Sequence, residues 1–157
     1  MDNNAQKRKI SKSKSDDFGN YLITICTNSH LNTLGEISKD NDVELDLTYL
    51  GKTVRGYINQ IPHKYRAVKI DKYVIMPNHI HILLKLSPTQ EPFSINKMVS
   101  WFKHGITAHI SETFPRQKIF ENSFIKNELK NNKRYILVRN YIENNIKNWK
   151  DDCFYTV

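Results

Sequence analysis

Only two cysteines occur in this chain, Cys26 and Cys153, with no neighbours at metal-ligand spacing and no framework for a disulfide-held secreted domain. No apolar stretch approaches the roughly 20 residues that a bilayer-spanning helix needs. Nor does a hydrophobic segment follow the basic residues at the start, as a secretory signal requires. The expected location is the cytoplasm, without membrane contact. Glycine and proline, 5 of each in 157 residues, are too few for a collagen-like or low-complexity chain. Acidic residues are outnumbered as well: 16 Asp and Glu against 24 Lys and Arg leave a net charge of +8. Such a balance favours polyanionic partners, because each phosphate neutralised by a basic side chain releases a condensed counterion.

What is present suits one folded domain. Hydrophobic content of 39% and charged content of 25% are ordinary for a globular protein of this length. Much of the basic excess lies in "QKRKISKSK" (6 to 14), which has no hydrophobic pattern. Residues 1–17 are therefore expected to form a flexible basic arm, with Lys7, Arg8 and Lys9 as candidate DNA contacts, and residues 18–157 a single domain.

Along the domain, "NYLITICTN" (20 to 28) is β-branched and aromatic and reads as a strand. "TLGEISKDNDVELD" (33 to 46) carries turn residues at Asp40–Asn41 and reads as a ribbon. From Thr48, Leu50, Val54, Tyr57, Ile58 and Ile61 recur at helical spacing until Pro62. Strands are expected at 67–76 and 79–86, with Pro77–Asn78 turning between them. Ser94 is placed to cap a helix whose stripe is Ile95, Met98, Val99, Phe102, Ile106 and Ile110. A last helix is expected from Asn132 to Trp149. The order predicts an α+β fold, a mainly antiparallel sheet with helices packed on one face.

The chemically unusual stretch is "YVIMPNHIHILLKL" (73 to 86). Side chains alternate along a strand, so His79, His81, Leu83 and Lys85 share one face and Ile80, Ile82, Leu84 and Leu86 the other. Two imidazoles on one face lie roughly 6 to 7 Å apart along the strand. They could converge on one divalent ion, since imidazole suits metals from Mn to Zn. The plain alternative is a pair of satisfied core histidines. A phosphotransfer site of H-x-H-x-H type is disfavoured by Leu83.

With its flanks, "YVIMPNHIHILL" resembles the signature of the HUH single-tyrosine transposases, in particular the REP-associated tyrosine transposase branch. "YLITICT", "LGEI", "YLGKTV", "FKHGIT" and "RNYIENNIKNW" resemble further segments of that family. The chain departs from the pattern at Ile146, where the family has Pro, and at Phe120–Glu121 in place of W-Q. It also departs in "KNELK" (126 to 130), where Asn127 and Lys130 replace His and Arg. The resemblance implies a ferredoxin-like HUH fold and a homodimer. It implies metal-dependent cleavage and rejoining of single-stranded or hairpin DNA through a 5′-phosphotyrosine, with His79 and His81 holding Mg²⁺ or Mn²⁺. Lys103 in "FKHGIT" and Arg134 are further candidate DNA contacts. A catalytically weakened binder of hairpin DNA is the alternative.

The closing helix offers Tyr135 and Tyr141, and Tyr155 follows it. At 100° per residue, Tyr135, Val138, Ile142, Ile146 and Trp149 form the apolar stripe. Tyr141 falls to its side with Arg134, Asn145 and Asn148. The family's catalytic tyrosine corresponds to Tyr141. Asn145, one turn further on, could bring a carbonyl oxygen to the same ion.

Overall fold

The computed structural model describes residues 16, 18–38 and 43–156. The arm with Lys7, Arg8 and Lys9, and the expected turn at Asp40–Asn41, lie outside the described residues. Four strands form the central antiparallel sheet in the order β4-β5-β1-β6, with β1 at Gly19–Cys26, β4 at Val68–Ile75, β5 at His79–Leu86 and β6 at Ile125–Glu128. A separate ribbon pairs β2 (Gly35–Ile37) with β3 (Leu45–Leu47). The helices are α1 (Tyr49–Lys64), α2 (Ile95–Ile110) and α3 (Asn132–Asn144). No helix among the described residues is long and apolar enough to cross a membrane.

Local chemistry explains the boundaries. Thr48 accepts the Gly51 N–H and Ser94 the Lys97 N–H, so hydroxyl oxygens satisfy orphan donors at the starts of α1 and α2. Asn131 does the same for Arg134 N in α3. Proline does not stop α1 where the sequence suggests. The helix carries Pro62 and ends at Lys64, because the missing N–H costs only one bond in the last turn.

The expected one-sided packing holds for α1 and α2, but not for α3. Ile80, Ile82, Leu84 and Leu86 of β5 join Tyr21, Ile23 and Ile25 of β1 in a core covered by the stripes of α1 and α2. Each such side chain contributes about 1.5–3 kcal/mol when fully buried. The two helices close up where Tyr57 donates a hydrogen bond to Gly105 O at 3.0 Å. A Cβ at Gly105 would lie 2.5 Å from the Tyr57 ring, so only glycine allows this approach.

Helix α3 crosses the other face. Ile142 packs there with Val74, Met76, Leu83 and Leu129, and Tyr135 and Val138 pack around them. Strand β4 shifts register between Ile70 and Lys72, leaving Asp71 at a bulge. That bulge aims Asp71 at α3, where its carboxylate accepts Tyr135 Oη at 2.5 Å and Arg139 Nε at 3.3 Å. The face carrying His79 and His81 is thus roofed, not open.

Candidate active site

The two histidines arise from strand alternation and the tight turn before them. His79 pairs with Cys26 and His81 with Thr24 across β1 and β5, so both imidazoles stand on the α3 side. Their ring centroids are 4.6 Å apart. His79 is 0% and His81 4% exposed. Alternation places Lys85 on the same face as the histidines, yet the roof of α3 and the chain after it bury both rings.

Each ring is held from behind. Asn78 Nδ2 donates to His30 O at 3.1 Å and to Phe154 O at 2.7 Å. Its amide oxygen must therefore be the acceptor 2.9 Å from His79 Nδ1. That contact puts the proton on Nδ1 and leaves the Nε2 lone pair of His79 facing inward. Thr24 Oγ1 lies 2.8 Å from His81 Nδ1 and orients the second ring in the same way.

Asp152 completes the cluster. One oxygen, Oδ2, accepts Tyr141 Oη at 2.9 Å and Asn145 Nδ2 at 2.7 Å. It also lies 3.7 Å from His79 Nε2. The other oxygen accepts the Phe154 N–H at 2.8 Å. Tyr141 Oη is in addition 3.5 Å from His81 Nε2. The Phe154 ring rests on His79 at 4.7 Å between centroids, with His30 at 5.6 Å and His81 at 6.5 Å.

Electrostatics follow from this burial. Desolvation, reinforced by His81, pushes His79 well below the ordinary imidazole range, although Asp152 opposes the shift. Desolvation takes His81 down to about 4. Both rings are neutral at pH 7 and can act as ligands. Burial raises Asp152, but the Phe154 N–H, the Asn145 amide, His79 and the Tyr141 hydroxyl outweigh it, and the carboxyl ends below its usual range. Tyr141 moves the other way: burial first, then the Asp152 carboxylate, hold its hydroxyl above the ordinary phenol range.

The donor set fits a divalent cation. Ligand atoms of His79, His81 and Asp152 all lie within 4.8 Å of one another. His79 Nε2 and Asn145 Oδ1 are buried with no hydrogen-bond partner. Such orphaned atoms cost about 1–3 kcal/mol each unless something meets them. Two imidazole nitrogens and carboxylate and amide oxygens suit a metal of intermediate to hard character.

The predicted residues divide clearly. His79, His81, Tyr141 and Asn145 come together in one cluster. Asn145 sits just past α3 as its C-cap, because the helix ends at Asn144 and not at Trp149. Lys103 lies elsewhere, its ammonium donating to Glu121 O at 2.7 Å and Ser123 O at 2.8 Å. Arg134 is exposed in the first turn of α3. Phe120 is buried, and Glu121 accepts the Ser29 N–H at 2.6 Å, so this departure from the family pattern is absorbed by the fold. Sequence reasoning missed Asp152, Asn78 and Thr24. For Asp152 a signal existed: two imidazoles left a cation short of anionic ligands.

The fold and side chains define a mixed α+β domain built around a buried histidine pair, a carboxylate and a tyrosine. The "Transposase IS200 like" family model matches residues 47–145. The chain belongs to the IS200-like transposase family. It is 28% identical over 156 residues to an uncharacterized Haemophilus influenzae protein, covering 87% of this chain and 85% of that one. Its fold resembles that of a REP-associated tyrosine transposase bound to a REP hairpin, with a TM-score of 0.61 and 18% identity over 85% of this chain and 70% of that one. It also resembles a candidate transposase from Deinococcus radiodurans R1, with a TM-score of 0.53 and 17% identity over 82% and 92%.

Proposed function

We propose that the chain cleaves and rejoins single-stranded DNA, with Tyr141 as nucleophile and Mg²⁺ or Mn²⁺ held by His79, His81 and Asp152. Asn145 Oδ1 is the further oxygen donor. One observation carries this reading: Tyr141 Oη lies 2.9 Å from Asp152 and 3.5 Å from His81, at the edge of a buried donor set, in a member of a transposase family. A cation there would polarise the scissile phosphate and offset the Asp152 charge that keeps the phenol protonated. Tyr141 Oη attacks phosphorus as its proton passes to water, and Asp152 orients the hydroxyl through their hydrogen bond. The Oη–P bond forms, the P–O3′ bond breaks, and the leaving oxygen takes a proton from solvent to become a 3′-hydroxyl. The 5′-phosphotyrosine conserves a phosphodiester, so attack by a 3′-hydroxyl reverses the step without an energy source.

Hairpin DNA is the proposed partner, since a structural neighbour is a transposase bound to a REP hairpin. Exposed Arg134 and the arm residues Lys7, Arg8 and Lys9 supply phosphate contacts, and a homodimer is the proposed assembly. The test is covalent trapping of labelled hairpin oligonucleotides with Mn²⁺. A protein–DNA adduct that disappears in Tyr141→Phe and in EDTA supports the reading. Tight binding with no adduct would favour the catalytically weakened hairpin binder.

A further inference from the structure

A wide cavity lies beside the catalytic cluster. It has a volume of about 760 Å³ and runs between the β2–β3 ribbon and residues 146–156. That is within the roughly 300–1,000 Å³ of sites that hold small organic ligands. Pro77, immediately before the Asn78–His79 turn, forms part of its wall. Trp149 lines the cavity and also lies 6.1 Å from the His79 ring, so the groove and the cluster share a wall.

The lining has an unusual composition. Trp149 and Tyr155 meet edge to face at 5.2 Å, and Tyr155 remains 38% exposed. Lys147 and Lys150 lie on the same wall and are exposed. Neither has a carboxylate partner within ion-pair distance among the described residues. Glu36 and Asp151 also line the groove. A purely apolar peptide would leave these four charges unanswered. Aromatic rings beside unpaired lysines are instead the combination that holds single-stranded nucleic acid, where bases stack and phosphates are neutralised. The carboxylates suit the exocyclic amines of bases.

We infer that this groove seats an unpaired nucleotide of the DNA strand next to the phosphate presented to Tyr141. Tyr155 and Trp149 stack its base, and Lys147 and Lys150 neutralise its backbone. The inference rests on the proposed function, and it adds a subsite that selects single-stranded over paired DNA at the point of cleavage.

The test uses the full chain and a thymidine oligonucleotide of about 12 residues carrying one 2-aminopurine. A duplex of the same length is the competitor. Tyr155→Ala should weaken single-strand binding by about 5- to 100-fold and abolish quenching of the probe, whereas Tyr155→Phe keeps both. Lys147→Ala with Lys150→Ala should lower the slope of log affinity against log salt by about 1.4, the value for two phosphate contacts on a single strand. Wild-type thermal midpoints for the variants establish that the fold is intact. Unchanged single-strand affinity in Tyr155→Ala, an equal loss of duplex binding, or an equal loss in Tyr155→Phe would each overturn the assignment. Adduct formation by the wild-type chain reports separately on the proposed chemistry. If no adduct forms while the single-strand effects appear, the catalytic reading fails and the groove stands.

Discussion

The two faces of β5 are made of adjacent residues and do opposite things. Ile80, Ile82, Leu84 and Leu86 bury only hydrocarbon against α1 and α2. Every atom removed from water there adds stability. His79 and His81 are buried as deeply on the other face, yet they bring ring nitrogens that must be matched one by one. Asn78 and Thr24 match the Nδ1 atoms, whereas His79 Nε2 has no partner. One side of the strand holds the fold together, and the other holds uncompensated polar groups in place. Burying an unmatched ligand set is a cost that a stability-driven core would not carry, so its persistence points to use.

The sharpest way to break this contrast is Tyr141→Phe. We predict loss of the covalent DNA adduct by at least about 10³-fold, because no other hydroxyl replaces the nucleophile. Stability should fall by only about 0.5–1.5 kcal/mol, the worth of one hydrogen bond to Asp152. Denaturing gels measure the first and urea titration the second. Adduct retained in Tyr141→Phe and lost in Tyr155→Phe would reassign the nucleophile.

The opposite face should respond in reverse. Ile82→Ala is predicted to cost about 2–5 kcal/mol, since it removes buried methyl groups and leaves a cavity under α1 and α2. Cation binding by the surviving folded fraction should be unchanged, because Ile82 shares no face with the histidines. Urea midpoints with and without Mn²⁺ test this. A Mn²⁺ stabilisation abolished in Ile82→Ala would show that the two faces are coupled.

How much of this contrast the sequence showed depends on range. The period-2 pattern of residues 79–86 placed the histidines on one face without ambiguity. The helical stripe from Tyr135 to Trp149 set Tyr141 beside the apolar side of α3, where it lies. Alternation within a strand does not say what covers each face, however. The burial of the histidines comes from α3 and residues 149–156, far away in sequence, so the strand's own pattern does not show it. The end of α3 at Asn144 was hidden because the apolar stripe continues through Ile146 and Trp149 in turns that keep the same side buried. Asp152 became visible only when that chain folded back onto Tyr141. Strand β6 was missed for another reason: "IKNE" has an exposed residue at every position and carries no hydrophobic period.

A smaller effect separates the oxygen donors. Asp152→Asn should weaken Mn²⁺ binding by at least about 10-fold, and Asn145→Ala by less, because the first loses an anionic ligand and the second a neutral one. The thermal shift at fixed Mn²⁺ reports both, as binding to the folded state alone raises its stability. Equal Mn²⁺ shifts in Asp152→Asn and wild type would remove Asp152 from the ligand set.

The smallest effect lies away from the cluster, at the bulge that anchors α3 to β4. Burial alone would raise the Asp71 carboxyl, but the hydrogen bond from Tyr135 and the charges of Lys85 and Arg139 hold it below its usual range. A carboxyl whose folded pKa is depressed binds fewer protons folded than unfolded. Its stabilisation is therefore complete above the ordinary value of about 3.9 and is lost as pH falls through the folded value. Asp71→Asn removes that term but keeps the size of the side chain. The stability gap between wild type and Asp71→Asn should be widest above about pH 5 and shrink steadily on acidification. Neutral His79 and His81 are common to both proteins, so their protonation cancels in the difference. Urea midpoints at several pH values measure the gap, and a gap that does not change with pH would mean that Asp71 holds α3 by shape and not by charge.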